Sequence, residues 1–228
     1  MIKAFIFDMD GTLVDSEKFW TMAPRVMLER FGYKLTDEEW DNASWRAASY
    51  RKTLTNIYEG KLFDLPFPTV WDAEEWIRGY MYSEIYPNDR HVHFKPNATG
   101  TLDAAKATGL PMCLLSATEL NALEYTLDRL DLKKYFDFYQ STAIGMPIDK
   151  HDPHLFEISA ERMGVKAEDC VVIEDALYAM KSCKQVGCKV WAIYDPKHWR
   201  NVDEIKSIAD RYFNTHEEMM AAIKELNK

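Results

Sequence analysis

Apolar residues follow two different patterns along this chain, and each pattern predicts a different kind of element. Residues 2–7 form a short, nearly unbroken apolar run, which is typical of a strand buried on both faces inside a parallel sheet. Comparable runs occupy 112–115, 170–173 and 190–194. Helical spacing of apolar residues separates the later runs, and this alternation predicts an α/β fold with a doubly wound parallel sheet and helices on both faces.

Capping residues mark the expected beginnings of two helices in the second half. Thr118 is the predicted N-cap of the helix that follows residues 112–115. Asp152 is the predicted N-cap of a helix whose first residue is Pro153. A later helix is expected to end at Gly187, because glycine readily adopts the left-handed conformation that terminates helices.

Residues 17–96 show a different pattern, because strand-like runs disappear and amphipathic helix patterns replace them. Thr36 and Glu39 have the spacing of a capping box, and Asp72 is the predicted cap of a later helix. Five of the seven tryptophans lie in this segment, namely Trp20, Trp40, Trp45, Trp71 and Trp76. We interpret most of them as core residues of a small helical bundle.

The pattern therefore divides the chain into two predicted domains. Residues 1–16 and 97–228 form an α/β core, and the all-helical segment 17–96 is inserted into it. Pro96 and Gly100 favour a linker where the chain returns to the core.

Composition narrows the class of protein. Hydrophobic residues make up 47% of the 228 residues, enough for a packed core, and no stretch approaches the roughly 18 apolar residues of a membrane span. The net charge of −9 argues against nucleic acid as a partner, since that partner requires a basic surface. The amino terminus lacks a signal-peptide pattern and the four cysteines lack a CxxC pair, so we expect a cytoplasmic protein with buried free thiols.

Polar residues follow three of the predicted strands at the point where each strand ends. Asp8 and Asp10 follow the first strand, Ser116 ends the second run, and Glu174 and Asp175 follow the third. The carboxyl ends of parallel strands form the ligand-binding edge of such sheets, so these residues are expected to converge. Two carboxylates about 4 Å apart repel by roughly 4 kcal/mol at an effective dielectric near 20. A divalent cation is the natural compensation, and the pattern predicts a metal site.

The segment from Asp8 to Thr12, read as Asp-Met-Asp-Gly-Thr, resembles the first motif of the haloacid dehalogenase-like hydrolase superfamily, most of whose members are phosphatases. The resemblance implies a Rossmann-like core in which Asp8 is the nucleophile that becomes phosphorylated. It implies that Asp10 is the general acid and base, and that its backbone carbonyl joins Asp8 in holding Mg²⁺. Gly11 and Thr12 are then expected to line the substrate site.

Three further segments resemble the other motifs of this superfamily. Ser116 with Ala117 corresponds to the second motif, whose hydroxyl and following amide grip the phosphoryl oxygens. Lys150 corresponds to the third and would bind the transferring phosphoryl group. Glu174 and Asp175 correspond to the fourth and would complete the Mg²⁺ site. Taken alone, a serine at a strand end is equally an ordinary helix cap, and a lone lysine is usually a solvated surface charge.

This sequence departs from the family pattern at two places. The family commonly has Gly-Lys-Pro at the third motif, whereas here Gly145 lies several residues before Lys150. At the fourth motif Ala176 stands where the family commonly has serine, and Ala179 where it commonly has glycine. The missing hydroxyl leaves open what supports the metal ligands.

The resemblance also gives the inserted segment a role, because many relatives carry a helical cap domain that closes over the active site and selects the substrate. Arg46 and Arg51 of this segment are candidates for substrate contact, although arginines on a helical surface are usually solvated. The pair His91 and His93 has the spacing of two metal ligands on a strand, but no further cluster supports a zinc site, and a structural or solvent-facing role is expected.

The predicted function is a Mg²⁺-dependent phosphatase that hydrolyses a small phosphorylated metabolite, such as a sugar phosphate, through an aspartyl-phosphate. A sugar-phosphate mutase similar to β-phosphoglucomutase is the alternative, since its second motif also reads Ser-Ala followed by a hydroxyl residue. A non-catalytic binding protein on the same scaffold is a further alternative. We expect neither nucleic acid nor membrane as partner, and a monomer or weak homo-oligomer.

Overall fold

Six parallel strands form a single sheet. The computed structural model describes residues 1–47, 49–88, 90–143 and 147–226. The strands are Ala4–Phe7 (β1), Met112–Ser116 (β2), Phe138–Ser141 (β3), Cys170–Glu174 (β4), Lys189–Ile193 (β5) and Arg211–Phe213 (β6). They lie in the order β3-β2-β1-β4-β5-β6, and every neighbouring pair is parallel. The prediction of an α/β fold on a doubly wound parallel sheet is confirmed.

Ten α-helices accompany the sheet in the described part of the chain. They are Glu17–Arg30 (α1), Asp37–Asp41 (α2), Tyr50–Gly60 (α3), Val70–Tyr80 (α4), Ala98–Ala107 (α5), Leu120–Arg129 (α6), His154–Arg162 (α7), Leu177–Gln185 (α8), Val202–Ile208 (α9) and His216–Glu225 (α10). A π-helical turn, Met81–Ile85, continues α4, and a short 3-10 helix, Pro196–Asn201, precedes α9.

The register of β1 places the carboxyl ends of three strands side by side. Phe7 pairs with Leu114 of β2 on one side and with Ile173 of β4 on the other. The backbone N–H of Asp8 still donates to the carbonyl of Ile173, at 3.0 Å, so Asp8 begins its loop level with the end of β4. The order of the strands reverses beside β1, and the crevice at such a switch point is where α/β sheets bind ligands.

One face of the sheet packs against α7, α8 and α9 through a single hydrophobic cluster. Ala4 and Ile6 of β1 belong to this cluster, while the alternate residues Phe5 and Phe7 are equally buried, which explains the unbroken apolar run. All four cysteines lie in the cluster as free, buried thiols, as predicted. Burial raises the pKa of the Cys170 thiol to about 12, so it behaves as an inert core group.

The chain divides into two compact units. The first comprises residues 1–15 and 93–228, and the second comprises residues 16–92 and contains only helices in its described part. The predicted domain boundaries, after residues 16 and 96, lie one and four residues further along the chain. The role of the second unit as a cap stays a prediction.

Aromatic side chains fill the second unit. The indole of Trp40 is buried and meets that of Trp45 edge-on, with the ring centroids 5.6 Å apart. Trp20 donates its indole N–H to the hydroxyl of Tyr86 at 3.2 Å. Trp71, in contrast, is 59% exposed. Trp40 is therefore a core residue as predicted, whereas Trp20, Trp45 and Trp76 are partly buried and Trp71 is exposed.

One of the two predicted caps in the second unit is correct. Thr36 and Glu39 form a capping box at the start of α2, as predicted. The prediction that Asp72 caps α4 is wrong, because Thr69 is the N-cap and Asp72 is the third helical residue of a second capping box. Threonine and aspartate both accept and orient backbone N–H groups, so the spacing alone left two possible starts.

The return to the core begins one turn earlier than predicted. Gly100 lies inside α5 and not in a linker, because the chain enters this helix at Asn97, which adopts a left-handed conformation with φ +59°. A Cβ at Gly100 would lie 3.1 Å from the sulfur of Met220 in α10. Glycine therefore serves a close approach of two helices here and does not break the helix.

The helix that follows Lys150 begins one residue later than predicted. Its first helical residue is His154, and Pro153 occupies the N-cap position. The carboxylate of Asp152 still accepts a hydrogen bond from the backbone N–H of His154, at 2.9 Å. Asp152 thus satisfies a free N–H of the first turn, which is the role expected of it.

Candidate active site

A buried group of charged side chains lies at the carboxyl ends of β1 and β4. Asp8 follows β1, Glu174 ends β4, and Asp175 comes next. Lys150 reaches them from the segment before α7. These four side chains belong to residues that are at most 6% exposed. Burial of this many charges is costly unless they compensate one another, so their arrangement points to chemistry and not to stability.

Lys150 binds two of the three carboxylates. Its ammonium group donates to Oδ1 of Asp8 and, at 2.8 Å, to Oε1 of Glu174. Oxygen atoms of Asp8, Glu174 and Asp175 all lie within 4.8 Å of one another, so this group could hold a metal ion. Three carboxylates and one ammonium leave two negative charges, which a divalent cation would compensate.

The pKa shifts in this group have one common origin, the exclusion of water. Burial, reinforced by the charge of Glu174, raises the pKa of the Asp8 carboxyl well above its ordinary value, although Lys150 opposes the shift. Burial disfavours the charge of Lys150 as well, but the two carboxylates outweigh it and raise the pKa of the ammonium. At Glu174 burial is outweighed by Lys150 and by the backbone N–H of Ala176, so the pKa is lowered. Asp8 is thus the carboxylate whose charge most needs a cation.

The other oxygens of the acidic pair are held by neighbouring groups. Oε2 of Glu174 accepts the backbone N–H groups of Asp175 and Ala176, at 2.7 and 2.9 Å. Oδ1 of Asp175 accepts the hydroxyl of Thr12 at 3.0 Å, and its Oδ2 lies 3.1 Å from Nε2 of His198. Ala176 carries no hydroxyl, and the hydroxyl that contacts Asp175 comes from Thr12, in the loop after β1.

Asp10 lies beside the end of β2, where two hydroxyl groups donate to one of its oxygens. Its Oδ2 accepts the hydroxyl of Ser116 at 3.0 Å and that of Thr118 at 2.6 Å. The prediction that Thr118 caps the next helix is wrong, because Glu119 occupies the N-cap position of α6. Ala117 is exposed between the two hydroxyl residues. Ser116 of the second motif thus contacts Asp10 of the first, although the two residues are 106 positions apart in the sequence.

The family model of haloacid dehalogenase-like hydrolases matches residues 2–187, which include every site residue named so far in this subsection except His198. The chain belongs to the haloacid dehalogenase-like hydrolase family. The predicted family, and the prediction of a hydrolase, are confirmed.

Relatives of this haloacid dehalogenase-like hydrolase include phosphatases. A 6-phosphogluconate phosphatase of Escherichia coli is 27% identical over 83% of this chain and 81% of that protein. Hexitol phosphatase B of the same organism is 29% identical over 80% of this chain and 79% of that protein. A HAD family hydrolase of Deinococcus radiodurans, solved with bound phosphate and sodium, has the same fold, with a TM-score of 0.71, 24% identity, and coverage of 99% and 96% of the two chains.

Lys95 fixes the backbone of the acidic loop in this haloacid dehalogenase-like hydrolase. Its ammonium group donates to the carbonyl of Gly11 at 2.5 Å, to the carbonyl of Tyr194 at 3.0 Å and to the carboxylate of Asp195 at 2.8 Å. Gly11 itself has a positive φ of +80°, which favours glycine. A lone lysine before a proline carries no local signal, so the sequence does not predict this role of Lys95.

His216, the first residue of α10, holds the next carbonyl of the same loop. Its Nε2 lies 2.9 Å from the carbonyl of Thr12, which can only accept, so Nε2 carries the proton. Its Nδ1 lies 3.0 Å from the hydroxyl of Thr101 in α5. Burial lowers the pKa of His216, although the Thr12 carbonyl opposes the shift, and the ring is therefore neutral. This contact spans 204 positions and has no local signal in the sequence.

The two arginines named as substrate contacts lie in the second unit and have partners there. Arg46 Nη1 lies 2.5 Å from Oδ1 of Asp41, and Arg51 Nε lies 3.3 Å from Oε2 of Glu74. These ion pairs orient both guanidinium groups within the unit. Contact of Arg46 and Arg51 with substrate stays a prediction.

Histidines do not form a second metal site in the described residues, where Asp8, Glu174 and Asp175 are the group found with ligand spacing. The ring of His91 packs on Phe19, with centroids 5.1 Å apart, and His93 is exposed, in line with the structural or solvent-facing role predicted for this pair. Gly145, named in the comparison with the third motif, lies outside the described residues. None of the helices formed by the described residues is long and apolar enough to span a membrane.

Proposed function

We propose that this chain is a Mg²⁺-dependent phosphatase that hydrolyses a small phosphorylated metabolite through an aspartyl-phosphate on Asp8. The proposal rests on the buried cluster formed by the side chains of Asp8, Lys150, Glu174 and Asp175. Asp10 lies two residues further along the same loop. Membership of a hydrolase family supports it. The names of the two Escherichia coli relatives favour a phosphorylated sugar or sugar derivative as the substrate class.

In the first step an oxygen of the Asp8 carboxylate attacks phosphorus. The bond between phosphorus and the ester oxygen breaks, its electron pair stays on the leaving oxygen, and Asp10 supplies the proton that makes this oxygen an alcohol. Phosphate monoesters hydrolyse extremely slowly unaided, and a covalent intermediate divides this barrier into two smaller ones.

In the second step Asp10, now ionised, takes a proton from a water molecule whose oxygen attacks the phosphoryl group. The bond between phosphorus and the Asp8 oxygen breaks, inorganic phosphate leaves, and both carboxyl groups return to their starting states. Asp10 thus acts as acid and then as base, which requires a carboxylate that can reach the reacting oxygen in both steps.

Lys150 and the second motif form the proposed anion site. The ammonium of Lys150 stays charged, because Asp8 and Glu174 raise its pKa, and it already touches the nucleophile. It can therefore bind a phosphoryl oxygen while the phosphoryl group is transferred to Asp8. The hydroxyl of Ser116, the backbone of Ala117 and the residues Gly11 and Thr12 would line the same site.

Mg²⁺ fits the residues present, since Asp8, Glu174 and Asp175 offer buried carboxylate oxygens with two uncompensated negative charges. These three side chains, with the backbone carbonyl of Asp10, would hold it. When bound, Mg²⁺ supplies charge neutralisation around the transferring phosphoryl group and orients the nucleophile.

The second unit is proposed as the cap that selects the leaving group, with Arg46 and Arg51 as candidate contacts. The four buried free thiols agree with a reducing compartment such as the cytoplasm. We expect the protein to be a monomer or a weak homo-oligomer and to act on small metabolites.

Phosphate release from a panel of phosphorylated sugars, hexitols and sugar acids, with Mg²⁺ and with EDTA, tests the proposal. We expect Mg²⁺-dependent release that Asp8→Asn abolishes and that Asp128→Asn, a change of an exposed aspartate, leaves intact. Isomerisation of a hexose 1-phosphate without stoichiometric phosphate release would replace the hydrolase with a mutase. Binding without turnover over the whole panel would favour a non-catalytic protein.

A further inference from the structure

We propose that Thr118 is a positioning residue for Asp10, whose carboxylate it holds through a hydroxyl hydrogen bond. This inference rests on the proposed function, in which Asp10 exchanges protons with the leaving group and with water. The contact is short, 2.6 Å from Oγ1 of Thr118 to Oδ2 of Asp10. A hydroxyl that donates to a carboxylate at this distance forms one of the stronger hydrogen bonds found in proteins.

The two hydroxyl groups that hold Asp10 belong to buried residues, while Asp10 itself is partly exposed. Thr118 is 3% exposed, and Ser116, whose hydroxyl donates to the same oxygen at 3.0 Å, is fully buried. Removal of the Thr118 hydroxyl takes away one of the two hydroxyl donors to Oδ2 of Asp10, and the loss of a buried donor costs more than the loss of an exposed one. Thr118 therefore helps to orient the Asp10 carboxylate from the buried side of the contact.

The backbone of Thr118 is itself fixed on both sides. Its N–H donates to the hydroxyl oxygen of Ser116 at 3.1 Å, and its carbonyl accepts the hydroxyl of Ser141, at the end of β3, at 2.7 Å. A threonine side chain has few rotamers, so a fixed backbone also fixes the direction of its hydroxyl. The ends of β2 and β3 thus aim Thr118 at Asp10, and this explains why the residue does not cap α6.

Two hydroxyl donors at one oxygen give the two oxygens of Asp10 different roles. Oδ2 accepts from both Ser116 and Thr118, which engages the lone pairs of that atom and leaves it badly placed to take a proton. The proton that Asp10 gives to the leaving oxygen therefore resides on Oδ1. Anchoring Oδ2 sets the direction in which Oδ1 points.

This role predicts a dependence on the leaving group. An alkyl phosphate, such as a hexitol phosphate, leaves as a strongly basic alkoxide unless Asp10 protonates it. A 4-nitrophenyl phosphate leaves as a weakly basic phenolate that needs little protonation. If Asp10 loses its anchor, kcat/KM should fall much more for the alkyl ester than for the aryl ester, because kcat/KM reports the step in which the ester bond breaks.

The experiment compares kcat/KM for the two esters in Thr118→Val, Thr118→Ser and Thr126→Val. Valine keeps the shape of threonine without its hydroxyl, and serine keeps the hydroxyl. Thr126→Val is the matched control, since Thr126 is a fully buried threonine in α6 whose hydroxyl donates to the carbonyl of Ala122 at 2.8 Å. We expect Thr118→Val to lower the alkyl value about tenfold and the aryl value less than about threefold, a part of the 10²–10⁴-fold typical of general acid catalysis.

Thr118→Ser is expected to restore the ratio of the two values, and Thr126→Val is expected to leave it unchanged. Should Thr118→Val not fold, Thr118→Ala removes the same hydroxyl with less bulk and is subject to the same expectation. An unchanged ratio in the hydroxyl-free variant, with turnover still abolished by Asp8→Asn, overturns the role of Thr118 and leaves the proposed function intact. Absence of phosphate release by the wild-type protein from 4-nitrophenyl phosphate and from every alkyl ester of the panel overturns both.

Discussion

The two halves of the candidate site are stabilised in different ways. The charged half consists of Asp8, Lys150, Glu174 and Asp175, at the ends of β1 and β4. The hydroxyl half consists of Asp10, Ser116 and Thr118, beside the end of β2. In the charged half, the ammonium of Lys150 compensates only part of the repulsion between three carboxylates. In the hydroxyl half, a single carboxylate accepts hydrogen bonds from neutral hydroxyl groups.

This difference agrees with the chemical role proposed for each half of the site. A nucleophile and its metal ligands must stay ionised in a dry site, which requires a strong local positive charge. A residue that acts first as acid and then as base changes its charge twice in each turnover. Neutral hydroxyl groups can remain in contact with both its protonated and its ionised form. The charged half should therefore respond to cations and to loss of charge, and the hydroxyl half to loss of single hydroxyls.

The largest effect is expected from removal of the ammonium in the charged half. Lys150→Met leaves Asp8 and Glu174 buried without their shared partner, which typically costs about 3–5 kcal/mol of unfolding free energy. Urea denaturation in EDTA measures this loss, and added Mg²⁺ should recover part of it, because a bound cation stabilises the folded state.

Lys181→Met provides the control for that loss of a lysine. Lys181 pairs with Glu204 at 2.6 Å, but both side chains are 50% exposed, so the change should cost less than about 1 kcal/mol. Equal losses in the two variants, or no response of Lys150→Met to Mg²⁺, would show that the charged half does not depend on charge compensation.

A smaller effect is expected where a hydroxyl supports the charged half. Thr12→Val removes the hydrogen bond to Oδ1 of Asp175 and should weaken Mg²⁺ binding by about tenfold, as is common for groups that orient metal ligands. Calorimetric titration with Mg²⁺ measures the affinity directly, with Thr126→Val as the control for loss of a buried hydroxyl. Equal dissociation constants in the two variants would remove Thr12 from the metal site.

The smallest effect concerns pH and the buried histidine behind the acidic loop. Burial lowers the pKa of His216 in the folded protein below its ordinary value of 6.5, so the unfolded chain binds the proton more readily. The stability that this ring contributes is fully present above about pH 6.5 and is lost as the pH falls below it.

His216→Gln keeps a side-chain N–H that can reach the Thr12 carbonyl but removes the titration. Between pH 7 and pH 5 the unfolding free energy of the variant should therefore fall less steeply than that of the wild type. The two slopes should differ by less than about 1.4 kcal/mol per pH unit, which is the limit for one proton. Thermal or urea unfolding over this range measures the difference. Parallel curves for the two proteins would mean that His216 keeps its ordinary pKa.

The charged half could be predicted from the sequence because chemistry restricts the residue types that can follow a buried strand. Asp8, Glu174 and Asp175 are recognisable where an apolar run ends, and the parallel sheet brings such ends together. The contacts of Thr118 and Lys95 were missed for a physical reason. They join residues 108 and 84 positions apart, whereas capping and turn patterns depend on neighbours within four positions.

The edge strands were missed for a different reason. β3 and β6 contain four and three residues, and both include polar side chains because an edge strand is covered less completely than a central one. Such short segments lack the unbroken apolar run that identified β1 and β4. Their place in the sheet is set by pairing with β2 and β5, which the local pattern does not contain.

Identification of the phosphorylated residue tests the central claim most directly. The protein is mixed with Mg²⁺ and a hexitol phosphate labelled at phosphorus, quenched in acid within milliseconds, digested and sequenced by mass spectrometry. We predict an acid-stable label on the peptide that contains Asp8, absent in Asp8→Asn and retained in Asp128→Asn. Phosphate release by the wild type without any label on that peptide, or with undiminished turnover in Asp8→Asn, would contradict the account.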